Sequence, residues 1–209
     1  MADEPMALEK YVEDHLRTSA EVKLATLDQE RDAIVAAAQL IAAAFRGGGK
    51  LLLCGNGGSA ADCQHLAAEL VSLLSKEYPR PGLPAIALTT DSSILTAYAN
   101  DFGFEGIFSR QVEALGRPGD VLIGITTSGG STNVVRAIET AATRGLRTVA
   151  LTGQAGLRGT TADLVIRVPH TSTMYIQETH LAIEHLLCGM VERLLFSPPA
   201  AGSSAHEPQ

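Results

Sequence analysis

His65 and Glu69 stand four positions apart in a stretch whose apolar spacing predicts a helix. Four residues turn an α-helix by about 400° and advance it roughly 6 Å, so the imidazole and the carboxylate share one face. Such a pair grips Zn²⁺ or a similar ion, or trades protons near neutral pH. Taken alone, it is also what an ordinary solvated helix face carries. A second concentration of such groups, Gln177, Glu178, His180, Glu184 and His185, crowds the opening turns of a helical segment near the C-terminus. There His180 and Glu184 read as a polar surface face. His185, among Leu181, Ile183, Leu186 and Leu187, reads as buried or half-buried, either a functional group or a satisfied core histidine. Gln177 and His185 are eight apart, roughly 12 Å along a helix. One ion reaches both only if each side chain leans inward, or if different subunits supply them.

Two glycine-rich segments add a different chemistry. Gly55-Asn56-Gly57-Gly58-Ser59 and Thr126-Thr127-Ser128-Gly129-Gly130-Ser131 each lie between an apolar run and a helical one. Glycine lets peptide N–H groups approach a ligand, and a following helix N-terminus favours an anion. Hydroxyls add donors without charge, which suits a neutral sugar bearing one phosphate. Each loop alone also reads as a plain structural turn. Neither is a nucleotide fingerprint: Gly-Lys-Ser/Thr is absent, and the first loop lacks the third glycine of a dinucleotide turn. Two such loops on one sheet read as a sugar-phosphate cradle.

The elements that must position these groups follow a rhythm. Met6 to Phe45 is helical in two stretches, one marked by Tyr11, Val12, His15 and Leu16, the next by Ile34, Val35, Ala38, Ile41 and Ala42, with Gly47–Gly49 ending the second. The alanines of Ala36-Ala37-Ala38 suit a close helix-to-helix subunit contact. Short apolar runs at Leu51–Cys54, Ala85–Leu88, Val121–Ile125, Thr148–Leu151 and Leu164–Val168 predict parallel strands covered on both faces. Helices at Ala60–Leu74, Thr132–Arg144 (closed by Gly145) and Tyr175–Phe196 alternate with them. The result is an open α/β sheet with right-handed crossovers. One domain spans 1–209, comprising a helical segment over 1–49, the α/β body, and a small, polar, proline-bearing stretch over 197–209 expected to be a flexible tail. Pro79, Pro81 and Pro84 mark a loop within it rather than a linker.

Composition narrows the function classes. The 209 residues include 16 Lys and Arg against 23 Asp and Glu, a net charge of −7, with 45 % hydrophobic residues. That balance, 4 % aromatics and no Trp argue against nucleic-acid binding. No run reaches the ~18 uncharged apolar residues of a membrane helix. The acidic start Met1-Ala2-Asp3-Glu4-Pro5 is unlike a signal peptide, so a cytoplasmic protein without membrane partners is expected. Cys54, Cys63 and Cys188, odd in number and without CxxC spacing, read as reduced core thiols.

In order along the chain stand Cys54-Gly55-Asn56-Gly57-Gly58-Ser59, His65 and Glu69, Asn100-Asp101-Phe102-Gly103-Phe104 with Phe108-Ser109-Arg110, Thr127-Ser128-Gly129 with Ser131, and Ile176-Gln177-Glu178 with His185. Over about residues 8 to 196, this set resembles the phosphoheptose isomerases. The resemblance implies an α/β three-layer sandwich of the sugar isomerase (SIS) type, a central parallel β-sheet flanked by helices. Its N-terminal helices would serve oligomer contacts in a homotetramer, with sites near the subunit contacts. It implies conversion of sedoheptulose 7-phosphate to D-glycero-D-manno-heptose 7-phosphate, in bacterial heptose synthesis for lipopolysaccharide or surface glycans. It further implies one Zn²⁺ per subunit on His65, Glu69, Gln177 and His185, with Glu69 and His185 as the acid/base pair. Substrate contacts would come from Asn56, Gly57, Gly58, Ser59, Asn100, Asp101, Thr126, Thr127, Ser128, Ser131 and Gln177. In that chemistry a proton leaves C1 of the ketose, an enediolate forms, and C2 is reprotonated, with a metal ion polarising the carbonyl.

The chain departs from the family pattern at three places. Leu73 stands where an arginine is usual, and the loop after it is about two residues longer, leaving Lys76 or Arg80 to reach the phosphate. The second hydroxyl loop opens with Thr126 where serine is usual. It carries Gly130 where asparagine is usual. Two alternative functions share the resemblance: a non-catalytic SIS-fold tetramer binding the replication initiator, which tends to lose the glutamate retained here as Glu69, and an isomerase of another sugar phosphate.

Overall fold

Runs of branched and apolar residues without a charge form the centre of the molecule. In the computed structural model, which describes residues 7–76 and 79–196, Leu51–Gly55 (β1) and Val121–Thr126 (β3) are buried at every position. With Ala85–Ala87 (β2), Arg147–Thr152 (β4) and Leu164–Arg167 (β5) they make a five-stranded sheet in the order β2-β1-β3-β4-β5. All four pairings are parallel. The chain winds outward one way from β1 to β2 and the other way from β3 to β5. The switch point therefore lies between β1 and β3, where open α/β sheets bind ligands beyond the strand carboxyl ends.

Strand side chains alternate between two cores. Leu51, Leu53, Val121, Ile123 and Val149 face one side, where Leu8–Arg46 (α1), Gly58–Val71 (α2) and Thr173–Phe196 (α6) pack. Leu52, Cys54, Leu122 and Ala150 face the other, against Ile107–Leu115 (α4) and Thr132–Thr143 (α5). This is the expected three-layer sandwich. Ser92–Phe102 (α3) buries no residue.

The structure differs from the sequence reading at the N-terminus. The two expected stretches are one helix of 39 residues, α1. No Gly or Pro interrupts it, Lys10–Asp14 and Glu13–Arg17 support its first turns, and buried Ser19, Val22 and Thr26 bridge the two apolar stretches. Ala37 and Ala38 are buried within the chain's own core, so the close approach they allow is used internally. α2 ends at Val71, short of Leu74. Arg80 explains the stop, because its guanidinium donates to the carbonyls of Glu69 and Leu70 at 2.8 and 2.7 Å. The expected strands recur within one residue or so. Residues 197–209 and Met6 lie outside the described residues. The three cysteines are buried and free, and burial pushes the Cys54 and Cys188 thiols up to about 12, which keeps them protonated.

Candidate active site

Both glycine loops emerge at the switch point, since Gly55 at the end of β1 pairs with Ile125 near the end of β3. In the first loop, Gly57 has φ +58 and a Cβ on Gly58 would lie 2.5 Å from Gln177 Nε2, so the glycines let α6 close onto the turn. In the second, Gly129 has φ +71 and a Cβ there would meet the Gly156 carbonyl oxygen. Thr126 Oγ1 lies 3.0 Å from Ser131 Oγ, and the Gly130 N–H donates to Ser128 Oγ at 3.3 Å. Ser131 occupies the N-cap of α5 without capping it through its side chain, so its hydroxyl serves the loop instead. These donors sit at the start of α5, the arrangement that favours an anion.

The two loops are joined by a pair of amides. Asn56 Nδ2 donates to Asn133 Oδ1 and Asn133 Nδ2 donates to Asn56 Oδ1, each at 2.8 Å. Asn133 is buried and also accepts from the Val134 N–H. Sequence reading did not single it out, although an amide two positions beyond the loop's last serine was the available signal.

α2 and α6 bring the titratable groups singled out in the sequence together. His65 Nε2 and His185 Nε2, 120 positions apart in the chain, face each other at 2.8 Å with their rings nearly perpendicular. Glu69 Oε1 is 3.8 Å from His65 Nε2. When both rings are neutral, one donates to the other. Gln177, half-buried, sets its side-chain amide directly against Gly58 of the first loop. His185 is exposed, contrary to expectation, whereas His180 and Glu184 are fully buried rather than forming a polar surface face. The reason is helical phase. The strip of α6 carrying His180, Ile183, Glu184 and Leu187 faces the core, and His185, about 100° further round, comes to the surface.

The buried pair behind the site has unusual ionisation. His180 Nε2–H donates to the Thr152 carbonyl at 3.1 Å, Nδ1 has no partner, and burial lowers its pKa to about 4. Burial, with Asp62 nearby, raises Glu184 to about 8, and neither of its oxygens has a hydrogen-bond partner. Burial likewise raises Asp62, against the opposing influence of His65.

Other expected site residues stand apart. Asn100 and Asp101 are exposed at the end of α3, where Asn100 Nδ2 donates to Asp101 Oδ1 at 2.8 Å. Phe104 and Phe108, from the same motif, help wall a hollow beside Asn56 and Gly57. Arg80 is not free to reach a phosphate. It is fully buried, with Nε 2.9 Å from Glu192 Oε1 and the rest of its fork on backbone carbonyls. Lys76 is exposed.

Among the described residues, no three His, Cys, Asp or Glu side chains are arranged to enclose a metal ion. The donor types at His65, His185 and Glu69 do suit zinc. The 2.8 Å between the rings is hydrogen-bond spacing.

Comparison with known proteins identifies the family. Residues 14–153 match the SIS domain family. The chain is 53 % identical over 190 residues to a phosphoheptose isomerase of Roseiflexus sp. (strain RS-1), covering 90 % of this chain and 94 % of that one. It is 54 % identical to one from Aquifex aeolicus, covering 90 % and 97 %. Among solved structures, a phosphoheptose isomerase from Francisella tularensis superposes with a TM-score of 0.85 at 38 % identity, over 90 % of this chain and all of that one.

Proposed function

This chain belongs to the phosphoheptose isomerases, and from that premise we propose that it interconverts sedoheptulose 7-phosphate and D-glycero-D-manno-heptose 7-phosphate in heptose synthesis. The observation that carries the reading is the meeting of His65, Glu69 and His185 on α2 and α6, the two helices that also close on the first glycine loop through Gly58 and Gln177. A phosphate held at the start of α5 by Thr126, Thr127, Ser128 and Ser131 would aim the sugar's far end toward α2 and α6. Asn56, Gly57, Gly58, Ser59 and Gln177 line its path, and Asn100 and Asp101 join from the surface.

In the forward direction Glu69 removes the proton from C1. The C–H pair becomes the C1=C2 bond of an enediolate while the carbonyl pair moves onto the C2 oxygen. His185 moves a proton between the two oxygens, and return of a proton to C2 leaves the aldehyde at C1. A Zn²⁺ ion, one per subunit on His65, Glu69, Gln177 and His185, would polarise the carbonyl when bound. The active assembly is a homotetramer of cytoplasmic chains. Support for association comes from apolar side chains left exposed along α1, among them Leu16, Leu24 and Leu27.

The test is turnover of sedoheptulose 7-phosphate with and without chelator. Glu69→Gln is expected to lower kcat by about 10²- to 10⁴-fold with the fold intact by circular dichroism. Unchanged turnover removes Glu69 from the mechanism. Purified wild type that contains no zinc, and whose activity added zinc does not raise, removes the zinc.

A further inference from the structure

We propose that Arg158 supplies the guanidinium that fixes the substrate phosphate against the second hydroxyl loop, a specificity role that rests on the sugar-phosphate reading above. A sugar phosphate brings about −1.5 to −2 charges at neutral pH. Hydroxyls contribute none, a helix N-terminus only a partial one, and the chain as a whole carries −7. A full cation close to the loop would balance that charge and strengthen the hold. Position 73 is leucine, and Arg80 is enclosed by Glu192 and the end of α2.

Arg158 is the cation so placed. Its backbone N–H donates to the Gly129 carbonyl at 2.8 Å, and its Nη2 lies 2.8 Å from where a Cβ on Gly130 would be. Gly129 and Gly156 are in backbone contact, so the segment carrying Arg158 is fastened to the loop rather than passing near it. The φ of Gly130 is not positive, so its backbone does not demand glycine. What the missing side chain provides is the space that the guanidinium fills. Arg158 is exposed, and among the described residues it makes no ion pair with a carboxylate. Its planar fork is left to bind two oxygens of a phosphate seated on the hydroxyls of Thr126, Ser128 and Ser131.

The experiment compares wild type, Arg158→Ala, Arg158→Lys, Gly130→Ala and the Gly130→Ala/Arg158→Ala double variant by steady-state kinetics on sedoheptulose 7-phosphate. Calorimetric binding of inorganic phosphate to wild type and Arg158→Ala accompanies it. Arg158→Ala is expected to raise KM about tenfold to a hundredfold, to change kcat little, and to weaken phosphate binding in parallel. Arg158→Lys recovers part of the loss. Gly130→Ala, by displacing the guanidinium, raises KM in the wild-type background and adds nothing once Arg158 is gone. Arg144→Ala, which removes a cation from the far end of α5, leaves KM unchanged. Wild-type turnover with an unaltered KM and unaltered phosphate affinity in Arg158→Ala overturns this role and leaves the isomerase reading standing. No turnover by wild type, with phosphate binding that still depends on Arg158, overturns the isomerase reading and supports the anion contact.

Discussion

His180 holds a position on α6 where burial disfavours a charged imidazole. Its Nε2–H is used by the Thr152 carbonyl at the end of β4, and the next residue's N–H, that of Gly153, donates to the Thr127 carbonyl in the second hydroxyl loop. The ring thus ties the helix bearing His185 to the strand behind that loop. Burial lowers its pKa to about 4, below the ordinary value of 6.5. The unfolded chain therefore takes up a proton between those two values while the folded chain does not. Stability linked to this group is complete above pH 6.5 and is lost as the pH falls toward 4. Glutamine at this position keeps a donor within reach of Thr152 and does not titrate. Relative to His180→Gln, the wild type is expected to lose about 2 kcal/mol of unfolding free energy between pH 7 and pH 4.5, measured by urea unfolding at each pH. Identical pH dependence in the two proteins would falsify the neutral, buried state of this ring.

At the scale of elements, α2 and α6 must be held in register for His65, Glu69 and His185 to meet, and the buried Arg80–Glu192 pair does this. Arg80 closes the C-terminal end of α2 through the carbonyls of Glu69 and Leu70, while Glu192 belongs to α6. Arg80→Met leaves a buried carboxylate unpaired and is expected to cost about 3–5 kcal/mol. Adding Glu192→Met removes that charge and should restore most of the melting temperature. Isomerase activity should stay depressed, because the clamp on Glu69's turn is still missing. Full recovery of kcat in the double variant would show that the pair serves stability alone. The strands were legible in the sequence because uncharged runs such as Leu51–Cys54 have few alternatives in a chain of this composition. The outline of α3 was not, since a helix that buries nothing lacks an apolar stripe turned toward a core. Phase on α6 was misread because a polar residue ordinarily faces water, and His180 and Glu184 do not. The meeting of His65 with His185 follows from packing two helices, which spacing along one chain does not encode. It was reachable only through the resemblance of whole motifs, and Asn133 and Arg158 lay outside those motifs.

For the molecule as a whole, the groups proposed to act on the sugar lie on surfaces that a single chain leaves open. His185 is exposed beside Leu186, Asn100 and Asp101 stand on the unburied α3, and Phe102 is 74 % exposed. Between α1 and α6 runs an apolar hollow lined by Leu27, Ile34, Val35, Ile183, Leu186 and Met190. Together with the outer apolar residues of α1, it leaves a row of apolar side chains that nothing among the described residues covers. Among the described residues no helix is long and apolar enough to cross a membrane. A second copy of the chain is the occupant that fits the proposed tetramer, and its arrival would draw water away from His185 and its neighbours. Excluding that water strengthens every charge-based contact the isomerisation uses. Leu27→Asp places a carboxylate in the hollow without touching the loops or the histidines. In sedimentation velocity it should shift the wild-type assembly to smaller species, and specific activity should fall with it. Raising the protein concentration should recover both together. If the dissociated variant turns over substrate at the wild-type rate, the site is complete within one chain, and the exposure of His185 must then serve substrate entry.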